Sequence, residues 1–296
     1  MVKVTGVGLN ATSLSMLQRE AYTLSAIITP YNASVPDVVW SSSNTDVATI
    51  DSSGKVTAVG KGDAVITVKT TDGGFTATCN VSVNTIEVLE PESVDLGLSV
   101  KWASFNLGAS KPEDVGYYYQ YAGTRDVSDT SIDLQWSNCP HHIGSNQKTG
   151  WTKYCHLDSP SYWSGKGSPD NKTVLEPEDD AAYVVLGGKW RIPTIEEFEE
   201  LIKNCDAIWD TLNGVKGRWF ISKKPGYTDK KIFLPISGYR YESGFWSSST
   251  KGYYRSSSLH PNTPCSTDIL YFHDASVTTI LQDRYHGQPV RPVLTK

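Results

Sequence analysis

VATIDSSGKVTAVGKGDAVITV spans Val47 to Val68, and how it is parsed decides the fold of the first part of the chain. Apolar residues fall at every second position, most plainly at Ala64, Ile66 and Val68, the period of a strand with one buried face. Asp51-Ser52-Ser53-Gly54-Lys55 interrupts the run as a turn, with glycine where positive φ is needed. The same alternation extends outward through Tyr22-Leu24-Ala26-Ile28, Val38-Trp40 and Ala77-Cys79-Val81-Val83. Short strands separated by turns at roughly 8–12 residue spacing predict an all-β sandwich, with Trp40 placed to sit between its sheets.

The texture changes after this region. Tyr22, Tyr31, Trp40 and Phe75 are the aromatics of the first 84 residues, and every other Phe, Trp and Tyr lies beyond them. The polar stretch NTIEVLEPES at 84–93 separates the two textures. The expected organisation is a β-sandwich at 1–84, a linker at 85–93 and a second domain at 94–296.

Composition narrows the function classes. A net charge of −5 without a Lys/Arg cluster argues against nucleic-acid binding. No apolar run approaches the roughly 18–20 residues a membrane-spanning helix needs, so no such segment is expected in this chain. The opening MVKVTGVGLN lacks the charged and apolar segments of a leader, while the Thr-, Ser- and Asn-rich residues after it read as an extracellular module. The expectation is a secreted or surface protein whose targeting or anchoring segment has been removed. Five cysteines (Cys79, Cys139, Cys155, Cys205, Cys265) form no CxxC pair, and their odd number leaves at least one thiol free; the pairing of the last four stays open.

In the second part, GKWRIPT at 188–194 leads into IEEFEELIKNC. Thr194 and Glu197 are spaced as a capping box, the acidic first turn suits the helix dipole, and Ile195, Phe198, Leu201 and Ile202 form a buried stripe. A second helix is predicted at 177–186, opened by Pro177 and stopped by Gly187-Gly188. KWASFNLG (101–108), RWFISK (218–223), KIFLPISGYR (231–240), GFWSSS (244–249), DILYFH (268–273) and PVRPVL (289–294) read as strands, which makes this part α+β.

Two resemblances attach to these segments. WSSSN at 40–44, the Val47–Val68 stretch and ATCNVSV at 77–83 resemble the bacterial Ig-like domain, group 2, over residues 2–83; that family implies a spacer or display module without chemistry. VDLGLSVKWASFNLGASKPEDVGYYYQY, EPEDDAAYVVLGGKWRIPTIEEFEELIKNC, IFLPISGYR, FWSSS and GQPVRPV resemble a large paralogous family of bacterial surface proteins with a C-type-lectin-like fold, over about residues 94–294. The WRIPT segment is also similar to the formylglycine-generating enzymes, which share that fold. The implied fold class is multidomain: an all-β Ig-like sandwich followed by an α+β C-type-lectin-like domain.

Enzyme chemistry of the formylglycine type needs a reactive thiol. Cys265 in HPNTPCSTD is the late cysteine, with His260 and His273 near it in sequence, but it has no partner cysteine. No catalytic residue is therefore expected. Cys139, His141, His142, Cys155 and His156 could supply zinc ligands, yet their spacing matches no standard site, so no metal and no cofactor is expected. The tripeptides by which many animal C-type lectins bind sugar through calcium are missing; Gln288-Pro289-Val290 lacks the acidic third residue. Loop aromatics remain as ligand-binding candidates, because pyranose C–H faces stack on rings. They are Trp136, Trp151, Tyr162 and Trp163 in the 123–172 insertion, and Tyr253, Tyr254 and Arg255 in a loop after FWSSS. Trp102, Trp190, Trp219 and Trp246, in hallmark segments, are assigned to the core. The expected function is non-catalytic binding of a glycan or a host or matrix glycoprotein. A protein–protein role in a surface assembly or fimbria is the alternative, followed by a formylglycine-type oxidase.

Overall fold

The computed structural model describes residues 2–18, 20–84, 88–146, 149–260 and 262–296. Linker positions 85–87 lie outside them. The chain divides into two compact units, Met1–Glu87 and Val88–Lys296.

The N-terminal unit is a sandwich. One sheet has the order β2 (Ser13–Leu17), β9 (Thr76–Asn84), β8 (Gly62–Thr70), β5 (Val38–Ser42), with β2 parallel to β9. Facing it are β3 (Ala21–Thr23), β7 (Lys55–Ala58) and β6 (Ala48–Ile50), together with the pair β1 (Gly6–Leu9) and β4 (Ala26–Thr29). The period-two residues of β8 and β9 point inward: Ala64, Ile66, Cys79, Val81 and Val83 join Met16, Leu24, Val56 and Ala58 in one apolar cluster, and Trp40 packs against it half-buried. The Tyr22–Ile28 face, read as one strand, divides between β3 and β4, which pair with different partners. Gly54 has φ +84°, and a Cβ there would meet the Leu24 carbonyl oxygen at 2.3 Å. The Asp51 carboxylate closes the same turn by accepting from the Ser53 and Lys55 amides.

The C-terminal unit ties its two ends together. β10 (Ser93–Asp95), β11 (Val100–Ala103), β23 (Val293–Thr295) and β13 (Trp190–Arg191) form one sheet, in which Trp102 lies opposite Val293. Helix α2 (Ile195–Asn204) opens with the predicted box: Thr194 accepts from the Glu197 amide, and Glu197 accepts from the Thr194 amide. Phe198 and Leu201 point from it into the main core, among Trp102, Phe220, Tyr254, Leu270 and Phe272. The predicted 177–186 helix is a 3-10 turn at Pro177–Asp179 followed by α1 (Ala181–Leu186). Asp180 caps α1 and also accepts from the Ile192 amide, so one carboxylate joins the helix to the strand after it.

Two further sheets complete the unit. The first is β14 (Cys205–Leu212), β15 (Val215–Ser222), β16 (Lys231–Pro235); the second is β19 (Gly252–Leu259), β20 (Ser266–Phe272), β21 (Val277–Asp283). Two short pairs remain. β12 (Tyr118–Tyr119) joins β22 (Gln288–Pro289), and β17 (Tyr239–Tyr241) forms a hairpin with β18 (Gly244–Trp246). β19 is the main departure from expectation, because Tyr253, Tyr254 and Arg255 were assigned to a loop. Every residue of β19 is buried, so its sequence shows no alternation, and its Arg and Ser residues disguise it.

The unit is cross-linked by buried guanidiniums. Arg240, Arg255, Arg284 and Arg291 are each fully buried. Arg240 donates to the carbonyls of Val127, Asp129, Ile132, Glu242 and Gly244, which locks the 127–132 loop to the β17–β18 hairpin. Arg284 donates to the carbonyls of Lys153, Tyr154 and Pro264. Arg291 reaches Asn106 Oδ1 and the carbonyls of Ala103, Ser104 and Phe233. Truncating such a residue leaves several buried acceptors unpaired, each costing about 1–3 kcal/mol. Arg240→Met is therefore expected to destabilise the protein by at least about 3 kcal/mol in urea unfolding, and limited proteolysis is expected to cut first in the 127–132 loop.

Candidate functional site

An ammonium organises the 123–172 insertion. Lys153 Nζ lies 2.6 Å from Glu176, 3.0 Å from Glu178 and 2.5 Å from Asp179. The Tyr154 hydroxyl donates to Asp179 at 2.6 Å, and His141 meets the same carboxylate at 3.0 Å. Lys153 and Lys172 together hold the Glu176 carboxyl down at about 2. Glu176, Glu178 and Asp179 are the one group of metal-ligand geometry among the described residues, and the Lys153 ammonium already pairs with all three.

The Cys/His set weighed for zinc is dispersed. Cys139 and Cys155 are buried free thiols in an apolar cluster with Leu134 and Trp151. His142 contacts the Asn146 carbonyl, and His156 contacts that of His260. Cys265 is buried as well. Its sulfur reaches Ser266 Oγ at 3.9 Å, and burial pushes the thiol up, the opposite of what a nucleophile needs. His260 turns instead to Asp268, with Nδ1 3.0 Å from the carboxylate.

The expected ligand aromatics need correction. Trp151 is fully buried: the Arg284 guanidinium stands 3.7 Å from its ring centroid, and Trp136 and His142 meet it edge-on. Tyr254 and Arg255 are also fully buried, and Tyr253 nearly so, because β19 runs through the interior. None of these four can offer a ring face or a charge to a ligand. Trp136, Tyr162 and Trp163 are half-buried against the same cluster and keep partial exposure.

Trp246 is the reverse case. Assigned to the core, it is 54% exposed at the end of β18, and Phe245 beside it is 42% exposed. A two-stranded hairpin has two faces and nothing obliges both to be covered, so a hallmark segment such as β18 can carry an exposed Trp. Tyr241 and Trp246 occupy one face, with ring centroids 5.9 Å apart; Arg240 and Phe245 occupy the other, 5.3 Å apart. Rings continue inward from Tyr241 to Tyr285 at 5.9 Å and from Tyr285 to Trp136 at 4.5 Å. A second series runs from Tyr241 to His286 at 5.1 Å, His286 to Tyr239 at 5.0 Å, Tyr239 to Tyr253 at 4.9 Å and Tyr253 to Tyr271 at 5.1 Å. The result is an aromatic shelf that rises from a buried base to an exposed Trp246. Its rigidity comes from Arg240, which fixes the hairpin backbone.

Comparison with known proteins places the N-terminal unit. Residues 3–81 match the bacterial Ig-like domain (group 2), and the N-terminal sandwich is such a domain. An uncharacterized protein of Clostridium acetobutylicum is 40% identical over 83 residues, 28% of this chain and 9% of that protein. The kappa-carrageenase of Pseudoalteromonas carrageenovora is 39% identical over 83 residues, 28% of this chain and 21% of the enzyme. The chain thus covers a minor part of these relatives. Among solved structures, an intimin–Tir90 complex aligns with 23% identity over 30% of this chain and 54% of that one, at a TM-score of 0.25.

Two measurements check this geometry. Thermal or urea unfolding is expected to show Trp151→Ala costing about 3–5 kcal/mol, as for a buried Trp, with Trp246→Ala within about 1 kcal/mol of the parent. His286, which links Tyr241 to Tyr239 in the second ring series, is pushed down to about 3 by burial and by Arg255. Its folded value lies below the ordinary value near 6.5, so its stabilising contribution is complete above about pH 6.5 and is lost as pH falls towards 3. His286→Gln is expected to flatten the fall in unfolding free energy across that window.

Proposed function

We propose that the protein is a non-catalytic binding protein of the cell surface or extracellular space. In this reading the Ig-like domain is a stalk and the C-terminal unit is a C-type-lectin-like domain that binds a glycan or glycoprotein. The observation that carries it is the aromatic shelf: a solvent-exposed Trp246 on a hairpin held by buried hydrogen bonds, with Tyr241 at its side. Rigid rings with one apolar face and polar neighbours suit the C–H faces and hydroxyls of a pyranose. Pre-organisation lowers the entropy cost of binding, which matters for ligands of small contact area. The α+β content, the capped α2 and the positions of the WRIPT, IFLPISGYR and FWSSS segments support the lectin-like assignment. The partly exposed Trp136, Tyr162 and Trp163 remain ligand-binding candidates. Burial of all five cysteines supports the reading without catalysis.

The test is a glycan array followed by calorimetry on the strongest hits. At least one saccharide is expected to bind, with Trp246→Ala weakening it at least tenfold while the unfolding midpoint stays put. An empty array, with a protein partner captured through the same shelf, would favour a surface-assembly role instead. Turnover that depends on oxygen or copper and disappears in Cys265→Ser would overturn the non-catalytic reading.

A further inference from the structure

The shelf's second ring series ends at a separate cleft. Tyr271 closes that series, and His273 stands 5.7 Å from it. Both line a cavity of about 410 Å³ together with Trp209, Lys216, Ser249, Thr250 and Lys251. The volume is within the roughly 300–1,000 Å³ usual for small-ligand sites.

The lining combines ring faces with cations. Lys251 Nζ lies 5.6 Å from the Tyr271 ring centroid, and the buried Arg218 guanidinium lies 5.9 Å from that of Trp209. Arg218 is fixed by donating to the carbonyls of Ala207, His273 and Asp274. The carboxylate in the cleft, Asp274, is held by His273 Nδ1 at 3.0 Å. Neither lysine is paired with a carboxylate in this way: Lys216 is exposed on β15, and Lys251 is hydrogen-bonded to Tyr271, beside its ring. A ligand entering this cleft therefore meets a lining that includes both ammonium-bearing side chains and the rings of Trp209 and Tyr271. The chain as a whole carries a charge of −5, so this local excess of cation is set against the global balance.

We propose that this cleft binds an anionic sugar residue, a pyranose carrying a carboxylate or a sulfate, as the acidic position of a saccharide whose neighbouring residue stacks on the Trp246 shelf. The ring walls accept the pyranose C–H faces and Lys216 and Lys251 pair with the acid group. Ser249 and Thr250, in the short loop that leads from Trp246 to Lys251, connect the two positions. The inference rests on the glycan-binding reading of the shelf and adds the charge of the ligand.

The experiment is calorimetric titration of the full chain with three oligosaccharides of equal length: one of hexuronate residues, one sulfated, one neutral. Parent, Lys216→Gln/Lys251→Gln and Trp246→Ala are compared at two salt concentrations. At least one acidic oligosaccharide is expected to bind tenfold or more tighter than the neutral one. That preference is expected to vanish in the double lysine variant and to weaken with salt, while neutral binding is unchanged. Whether carboxylate or sulfate binds better identifies the source of the charge. Equal affinity for acidic and neutral ligands, or an acid preference that survives in the double variant, would overturn the anionic site and leave the shelf intact. Failure of all three to bind would remove both readings. Because both lysines are at the surface, circular dichroism of the double variant is expected to match the parent.

Discussion

The C-terminal unit depends on guanidinium groups placed where no water reaches. A fully buried Arg offers five N–H donors in a fixed plane, and those of Arg240, with most of those of Arg284 and Arg291, meet backbone carbonyls, while Nε of Arg255 and of Arg284 is left without a partner. The segments 127–132 and 153–154 lie outside regular strands and helices, and Arg240 and Arg284 donate to their carbonyls. The cost of burying a charge is offset only when its donors are well used. Arg240 is saturated, and Arg284 gains the face of Trp151 in addition. These residues act as cross-links between loops, a task that small sheets of two or three strands cannot perform alone.

That constraint explains where recognition chemistry sits. The β17–β18 hairpin is a two-stranded ribbon, marginal by itself. Arg240 beneath it and the Tyr241–Tyr285–Trp136 rings behind it convert it into a stiff support. Trp246 is exposed at the end of this ribbon. The Ig-like domain is built on a different principle. Alternating Ala, Val and Ile of β8 and β9 fill its interior, and among its described residues no guanidinium is buried.

Much of the fold could be read from residue order. The period-two pattern of Val47–Val68, the Gly54 turn and the Thr194–Glu197 box are local features, and each corresponds to a local structure with the same residues in the same roles. The difficulties arose where local pattern and environment part company. β19 has no alternation because both of its faces are buried, and its Arg255 and Ser256–Ser258 resemble loop residues until their partners are known. β14 continues directly from α2 at Cys205, with no glycine or proline to mark the change. Trp151 and Trp246 exchanged places relative to expectation, since ring exposure is a property of the neighbours and not of the residue.

Residue order alone therefore determined the β-sandwich of the first unit and the helix caps, because these follow from periodicities and spacings within about ten residues; the acidic balance follows from composition. Tertiary structure decided which aromatics meet solvent, which lysines share a cleft with Trp209 and Tyr271, and that Lys153 fills a ring of carboxylates. Those outcomes depend on contacts between segments far apart in the chain, such as Arg240 with Val127 and Arg284 with Tyr154, and no local pattern encodes them.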